Sequence, residues 1–196
     1  AADTLSVPYE PKPKSNDWCG IYVFGDDKPF VLSEHIHAIH AFFVHSQYDY
    51  PLYFFINQYR TEGIKDLIGK YNNNIKFILI PPLLTSFEYN YFMINKVWYL
   101  LPEHEFVVTQ QFDGHLLKNG YEQAFEDGEY DFAGASWKEP IAIHETSFIF
   151  PQTRMCNGGF SFRRPSKMLE ILDCVNRKGG QTAVVKGLFI NDEKRF

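Results

Sequence analysis

The chain is poor in cysteine and has no surplus of positive charge. Of its 196 residues only three are cysteine, Cys19, Cys156 and Cys174. This odd, widely spaced set with no C-x-x-C pair excludes a disulfide scaffold and a zinc knuckle, and it fits a reducing, cytoplasmic location. Lys and Arg number 19 against 24 Asp and Glu, a formal charge of -5. Phosphate-backbone affinity needs clustered basic side chains, so nucleic acid is not an expected partner. No apolar run approaches the roughly 20 residues of a transmembrane segment. A basic-then-apolar leader pattern is missing at the N-terminus, and there is no N-x-S/T acceptor. The sequence also lacks G-x-G-x-x-G, G-x-x-x-x-G-K-[ST] and G-x-S-x-G. Dinucleotide binding, Walker-type phosphate transfer and α/β-hydrolase chemistry lose their support with them.

Large rings are abundant. Aromatics make up 17% of the chain, with 19 Phe and 12 Tyr, and hydrophobic residues 45%. That composition supplies a core for one domain. Residues 1–17, with Pro8, Pro11 and Pro13 among Lys, Ser and Asn, read as an extended N-terminal arm, leaving 18–196 as a single domain. Within it, Gly20–Phe24 reads as a short strand ending in Gly25, Asp26 and Asp27. Ser33 is placed to cap a helix over 34–47, with Ile36, Ile39, Phe43 and Val44 on one face. Strands over Leu52–Ile56 and Lys76–Ile80 bracket a short helix over 61–70, and a helix over Tyr89–Leu101 feeds a strand beginning at Phe106. Alternating βαβαβαβ up to Asp113 predicts a mostly parallel sheet with right-handed crossovers. Beyond it the rhythm changes: a short helix over Tyr121–Asp127, a strand over Tyr130–Trp137, an irregular excursion over 138–155, and a helix from Pro165 to Asn176.

The chemistry-bearing candidates lie where apolar runs end. Phe106–Thr109 reads as an interior strand, and Gln111, Asp113 and His115 follow at period two, so an extended chain puts them on one face. A carboxylate at the carboxyl end of a parallel strand is placed to hold a divalent metal or a ribose; an ordinary Asp-Gly turn is the alternative. Asp26 and Asp27 end the first strand in the same way, either as partners for a base or ribose or as solvated turn acids. His35, His37, His40 and His45 lack the rest of a metal site and read as a solvated helix face. Two more polar knots follow, Asn157-Gly158-Gly159, read as a turn whose glycines permit close backbone approach, and Asn191-Asp192-Glu193.

The order of these knots resembles GT-A-type glycosyltransferases, which hold a nucleoside-diphosphate sugar on a parallel sheet and carry D-x-D at a strand end. It more closely resembles a bacterial GT-A-like family with the pattern Q-W-D-G-F, Y-D-Y-I-G-A-P-W, G-N-G-G-F-S-L-R and E-D-E. Here the counterparts are Gln111-Phe112-Asp113-Gly114-His115, Tyr130 to Trp137, Cys156 to Arg163, and Asn191-Asp192-Glu193. The family's Y-N-x-F-M-x-K helix has its counterpart in Tyr89 to Lys96. The resemblance spans residues 85–196; the first 80 residues share only the βα rhythm. This chain departs from the pattern at His115 and Asn191, carries Gln111 in place of the first acid of D-x-D, and ends just past the acidic knot, as a short member or a truncated domain would.

The resemblance implies a GT-A-like α/β fold with a mostly parallel central sheet flanked by helices. It also implies transfer of a sugar from a nucleoside-diphosphate sugar to a glycan or other hydroxyl acceptor, in the setting of bacterial polysaccharide biosynthesis, assisted by Mn2+ or Mg2+. Asp113, with His115, would face the metal. Gln111, Asp26, Asp27, Trp137, Asn157, Gly158 and Gly159 would contact donor or acceptor, Trp137 by stacking on a sugar face unless it packs in the core. Asp192, ahead of Glu193, would serve as general base in an inverting transfer, the alternative being a solvated, mutually paired terminus. A catalytically silent nucleotide- or sugar-binding module with the same fold is the rival from another class, favoured by the missing first acid and the altered acidic knot. A doubly wound domain for another phosphorylated ligand is the third reading.

Overall fold

In the computed structural model, residues 10–61, 63–69, 74–101, 104–114, 116–128, 130–136 and 156–177 are described. The chain opens with β1 (Trp18–Phe24), then α1 (Leu32–His45), β2 (Leu52–Asn57), α2 (Ile64–Gly69) and β3 (Ile75–Ile80). It continues with α3 (Ser86–Asn95), α4 (Val97–Leu100), β4 (Phe106–Gln110), α5 (Tyr121–Asp127), β5 (Phe132–Ser136), β6 (Cys156–Arg163) and α6 (Pro165–Arg177). Six strands form one sheet in the order β3-β2-β1-β4-β6-β5. β1, β2, β3 and β4 are mutually parallel, as the alternation predicts, while β6 runs against both β4 and β5.

Period-two alternation sends each strand's side chains to two cores. Trp18, Tyr22, Phe54, Phe106, Val108 and Phe162 meet α1, α2 and α5 on one face. Cys19, Ile21, Phe55 and Val107 meet Phe92, Met93 and Trp98 of α3 and α4, and Leu172 of α6, on the other. Each fully buried ring or branched side chain contributes roughly 1.5–3 kcal/mol, so strands buried on both faces are near-continuously apolar. From β1 the chain steps outward to β2 and β3, then α3 and α4 carry it back across to β4 on the other side of β1. The strand order therefore reverses between β1 and β4, and a crevice opens outside their carboxyl ends.

Four local expectations are corrected. Val31, in extended conformation, precedes α1 without a side-chain cap, and Ser33 lies inside the first turn, so Ser33 is not the cap. The helix expected over Tyr89–Leu101 begins earlier, because Thr85 and Glu88 form a reciprocal capping box at 3.1 Å and 2.9 Å, and it breaks into two at Lys96. Asn157-Gly158-Gly159 is strand rather than turn: β6 pairs Asn157 with Ala135 and Ser161 with Gly134, leaving an irregularity at 158–160. The four histidines do not share one solvated face, since His35 is buried and His37 exposed.

The described part of the arm lies extended against the lower edge of this sheet. Lys14 bridges Asp49, and Lys12 Nζ donates to the carbonyls of Phe43 and Val44 at 2.7 Å each, and to that of Ser46. An ammonium there closes carbonyls that the end of α1 leaves open.

Candidate functional site

A cavity of about 480 Å³ opens at the carboxyl end of β1, in the crevice between the end of β4, the start of α1 and the loop leading into α3. Its back wall exists because residue 25 is glycine. A Cβ there would lie 2.6 Å from Leu83 Cγ, and the loop is held close by Leu83 N–H donating to the Gly25 carbonyl at 2.7 Å. Asp26 lines the cavity and Asp27, exposed, does not. The Asp26 carboxylate accepts from the Lys28 backbone N–H at 3.0 Å and pairs with Lys28 Nζ at 3.2 Å. Slight burial would raise its pKa, but these contacts prevail and hold it below the ordinary value. Buried Asn57 donates to the Asp26 carbonyl at 3.3 Å, tying the loop to the end of β2.

The side wall is aromatic. His35 stacks on Phe30 at 4.5 Å between ring centroids, meets Phe24 edge-on at 5.2 Å and approaches Phe112 at 5.7 Å. Its Nδ1 lies 2.6 Å from the Tyr22 hydroxyl. Burial lowers the His35 pKa, against a smaller opposing pull from Glu34, and so favours the neutral ring. Neutral imidazole with its proton on Nε2 accepts from the phenol through Nδ1. Burial also pushes Tyr22 well above the ordinary phenol value, with Asp113 and Tyr89 adding to it.

At the mouth the chain leaves β4 in a turn rather than an extended run. Gly114 N–H donates to the Gln111 carbonyl at 3.2 Å, and these two residues form an isolated bridge. The period-two face of Gln111, Asp113 and His115 is therefore not formed by Gln111 and Asp113, because the strand ends at Gln110; His115 lies outside the described residues. Gln111 Nε2 donates to the Tyr89 hydroxyl at 2.5 Å, and Gln111 lines the cavity. Asp113 is exposed on the turn, near enough for its charge to raise the phenols of both Tyr22 and Tyr89. Asp113, Tyr22, Tyr89 and Gln111 are thus gathered at the ends of β1 and β4.

Gly159 is buried in β6. Asn157 and Gly158 lie on that strand, with the Asn157 side chain outside the described set. Trp137, Asp192 and Glu193 also lie outside the described residues. Among those described, no group of three or more His, Cys, Asp or Glu side chains could hold a metal. The cavity-lining residues to which sequence reading gave no role in the site are His35, Tyr22 and Tyr89. A signal for His35 was present, since 35, 38, 39 and 42 form the i, i+3, i+4, i+7 stripe that α1 buries. Arg163 ends β6 with its guanidinium 5.2 Å from the Trp98 ring and 5.0 Å from Phe132, donating from Nε to Ser161 Oγ at 3.0 Å. Burial draws its pKa down to about 10.

Residues 74–193 match the model of a family described as Protein of unknown function (DUF5672). The chain belongs to the DUF5672 family. The match takes in β3, the crossover helices, β4 with its turn, and everything to the acidic knot. No curated protein matches. Among solved structures, mouse xyloside xylosyltransferase 1 in its apo form aligns with a TM-score of 0.52 at 12% identity, over 78% of this chain and 68% of that one. The 4-diphosphocytidyl-2C-methyl-D-erythritol synthase of Anaerococcus prevotii DSM 20548 scores 0.46 at 13% identity, over 75% of its own chain and 80% of this one. A mannosyltransferase from Pyrobaculum calidifontis, solved with GDP-Man and Mn2+, scores 0.46 at 10% identity, over 90% of this chain and 51% of that one. The fold of this DUF5672 member is GT-A-like, a six-stranded, mostly parallel sheet between helical layers. Among the described residues no helix is long and apolar enough to cross a membrane.

Proposed function

We propose that the protein is a glycosyltransferase that moves a sugar from a nucleoside-diphosphate sugar to a hydroxyl acceptor. The observation that carries this reading is the cavity at the strand-order reversal, walled by rings on one side and faced by the Asp113 turn on the other. Phe24, His35 and Phe112 offer faces and edges to a nucleoside base, with Phe30 stacked on His35. Asp26, already ionised and fixed by Lys28, offers an acceptor to ribose hydroxyls. Trp137, Asn157, Gly158 and Gly159 belong to the sugar subsites in this reading, and the general base is Asp192 in preference to Glu193.

An exposed carboxylate at a strand end fits a hard divalent cation that takes its remaining oxygens from water and the diphosphate. Asp113 would hold Mn2+ or Mg2+ in this way. Bound there, the cation offsets the charge that gathers on a departing diphosphate. Gln111 keeps the turn in place through Tyr89, whose hydroxyl accepts the Gln111 amide and keeps its own proton to donate, while the Tyr22 phenol stays committed to His35. The cytoplasmic location read from the cysteines belongs to the same proposal.

A thermal-shift panel of nucleoside diphosphates and their sugars, with and without Mn2+ or Mg2+, tests the donor site, because a ligand at 100 times its Kd stabilises by about 2.7 kcal/mol. Metal-dependent stabilisation by at least one nucleotide is expected, and a flat panel would remove the donor reading. One observation favours the silent binding module: Gln111 replaces the first acid, and its amide is committed to Tyr89. Slow donor hydrolysis separates the two, since a transferase leaks water into its site and a pure binder leaves the donor intact.

A further inference from the structure

A second cavity, about 470 Å³, lies on the other side of the Asp113 turn, over the sheet face between α5 and the antiparallel pair β5 and β6. Its walls are Leu116, Leu117, Tyr121, Tyr130, Phe160 and Phe162. Among the described residues lining it there is no charged side chain; Tyr121 and Tyr130 bring only hydroxyls. The rings are ordered against each other, Phe160 edge-on to Phe162 at 5.5 Å and Tyr121 stacked on Phe162 at 6.2 Å. Leu117 at 73% exposed and Tyr130 at 55% keep large apolar surface open at the rim.

The two cavities share one short piece of chain. Gln111 and Phe112 line the first and Leu116 and Leu117 line the second. Between them Gly114 packs so closely on β6 that a Cβ there would lie 3.1 Å from Phe160 Cβ. Asp113 therefore sits on a ridge with a polar-mouthed cavity on one flank and an apolar one on the other.

We infer that the second cavity seats the apolar aglycone of the acceptor, an aryl or alkyl group attached next to the hydroxyl that receives the sugar. The inference rests on the glycosyltransferase reading above. Transfer requires the accepting oxygen to reach the donor's anomeric carbon at roughly 3–3.5 Å. A group lodged beside Leu116 and Phe160 would present its attached hydroxyl at the Asp113 ridge. A bare sugar suits the cavity poorly, because each hydroxyl left without a partner against these rings costs about 1–3 kcal/mol. An aryl or alkyl group has no such groups to satisfy, and its burial is favourable at about 25 cal/mol per Å².

The test compares ligands that share one sugar and differ in aglycone: methyl, octyl (below its micelle concentration) and 4-nitrophenyl glucosides, galactosides and mannosides. Binding to the full chain is read by ligand-observed NMR and calorimetry without any donor. The octyl and 4-nitrophenyl glycosides of at least one sugar are expected to bind about tenfold or more tighter than its methyl glycoside, a difference of about 1.4 kcal/mol. Ala124→Trp, which fills the cavity from the exposed side of α5, and Leu117→Glu, which puts a charge on its rim, should each erase that preference while nucleoside diphosphate binding stays at the wild-type value. Equal binding of the three aglycones, or a preference that survives in both variants, overturns the assignment. A preserved preference in a protein that binds no nucleotide would sink the donor reading and leave the apolar site standing.

Discussion

The two cavities flanking the Gln111–Gly114 turn are nearly equal in size, about 480 and 470 Å³, yet opposite in character. The first is made of element ends: the loop after β1, the first turn of α1, the approach to α3. Element ends bring unpaired backbone groups and the polar residues that satisfy them, so Asp26, Lys28, Glu34 and His35 gather there. The second is built on a sheet face and a helix side, where pleated side chains meet without exposing backbone, and is rimmed by Leu116, Leu117 and Tyr130 from the connecting segments. Its lining is consequently rings, leucines and alanines. Topology alone thus sorts a charged ligand toward one flank of Asp113 and an apolar one toward the other.

That division breaks most visibly if the chemistry does not occur where the flanks meet. In a transfer assay with a competent acceptor, Asp192→Asn is expected to lower turnover about 100-fold or more, the range of a lost general base. Donor affinity should stay unchanged, because a base acts in the transition state. Glu193→Gln should do less. Wild-type turnover in both variants would remove the tail from the mechanism.

Asp113→Asn tests the polar flank itself. Metal-dependent nucleoside diphosphate affinity should fall about 100-fold, close to 2.7 kcal/mol, while the aglycone preference on the other flank is untouched. Titration calorimetry with and without Mn2+ reads both. Unchanged metal-dependent affinity would return Asp113 to an ordinary turn residue.

Glycine substitutions compare how tightly each flank is closed. Gly25→Ala would drive Cβ to 2.6 Å from Leu83 Cγ, and the loop over the first cavity must move. A loss of about 1–3 kcal/mol in urea unfolding is expected, with weaker nucleotide binding. Gly114→Ala meets Phe160 Cβ at 3.1 Å, a contact that a small shift relieves, so its cost should stay below about 1 kcal/mol. Equal losses would mean that the back wall at Leu83 is softer than its geometry implies.

The parallel half was legible because each of its strands is an apolar run bounded by Gly, Pro or acids, and tertiary contacts only confirmed that pattern. Register was not legible where pairing is antiparallel: Asn157-Gly158-Gly159 looks like a turn, and its strand character comes from β5 and β4 on either side. The acid at Asp113 was visible from the end of the Phe106–Gln110 run and so was the Asp-Gly turn as the alternative to an extended face; local sequence does not decide between them, and the Gln111–Gly114 bridge does. Tyr22 and Tyr89 carry no such signal, because nothing local separates a ring that packs from a ring whose hydroxyl reaches a cavity. The second cavity left no mark in the sequence at all, being assembled from Leu116, Tyr121, Tyr130 and Phe160, each unremarkable in its own segment.

The smallest effect is also the most selective, because among the described lining residues only the first cavity holds a histidine. His35 is held neutral by burial, with Tyr22 of β1 on its Nδ1, Glu34 beside it on α1, and Asp113 acting on Tyr22 from the turn. Its folded-state pKa lies below that of the unfolded chain, about 6.5. Between the two values the unfolded state binds more protons, so stability rises with pH across that window and is lost as pH falls from about 6.5 toward the folded pKa. One group limits the slope to about 1.4 kcal/mol per pH unit. His35→Gln should flatten the unfolding free energy measured by urea titration as pH falls below about 6.5, and Tyr22→Phe should cost about 1 kcal/mol for the lost hydrogen bond at neutral pH. Nucleotide binding should weaken over the same acidic window in the wild type, as a proton on His35 Nδ1 removes the acceptor for the Tyr22 hydroxyl and loosens the cavity wall, and should not do so in His35→Gln. The described lining of the second cavity carries no imidazole and no carboxylate, so aglycone binding should be flat in pH across that window. An acid-dependent loss of aglycone binding equal to that of nucleotide would show that the two cavities are not independent sites.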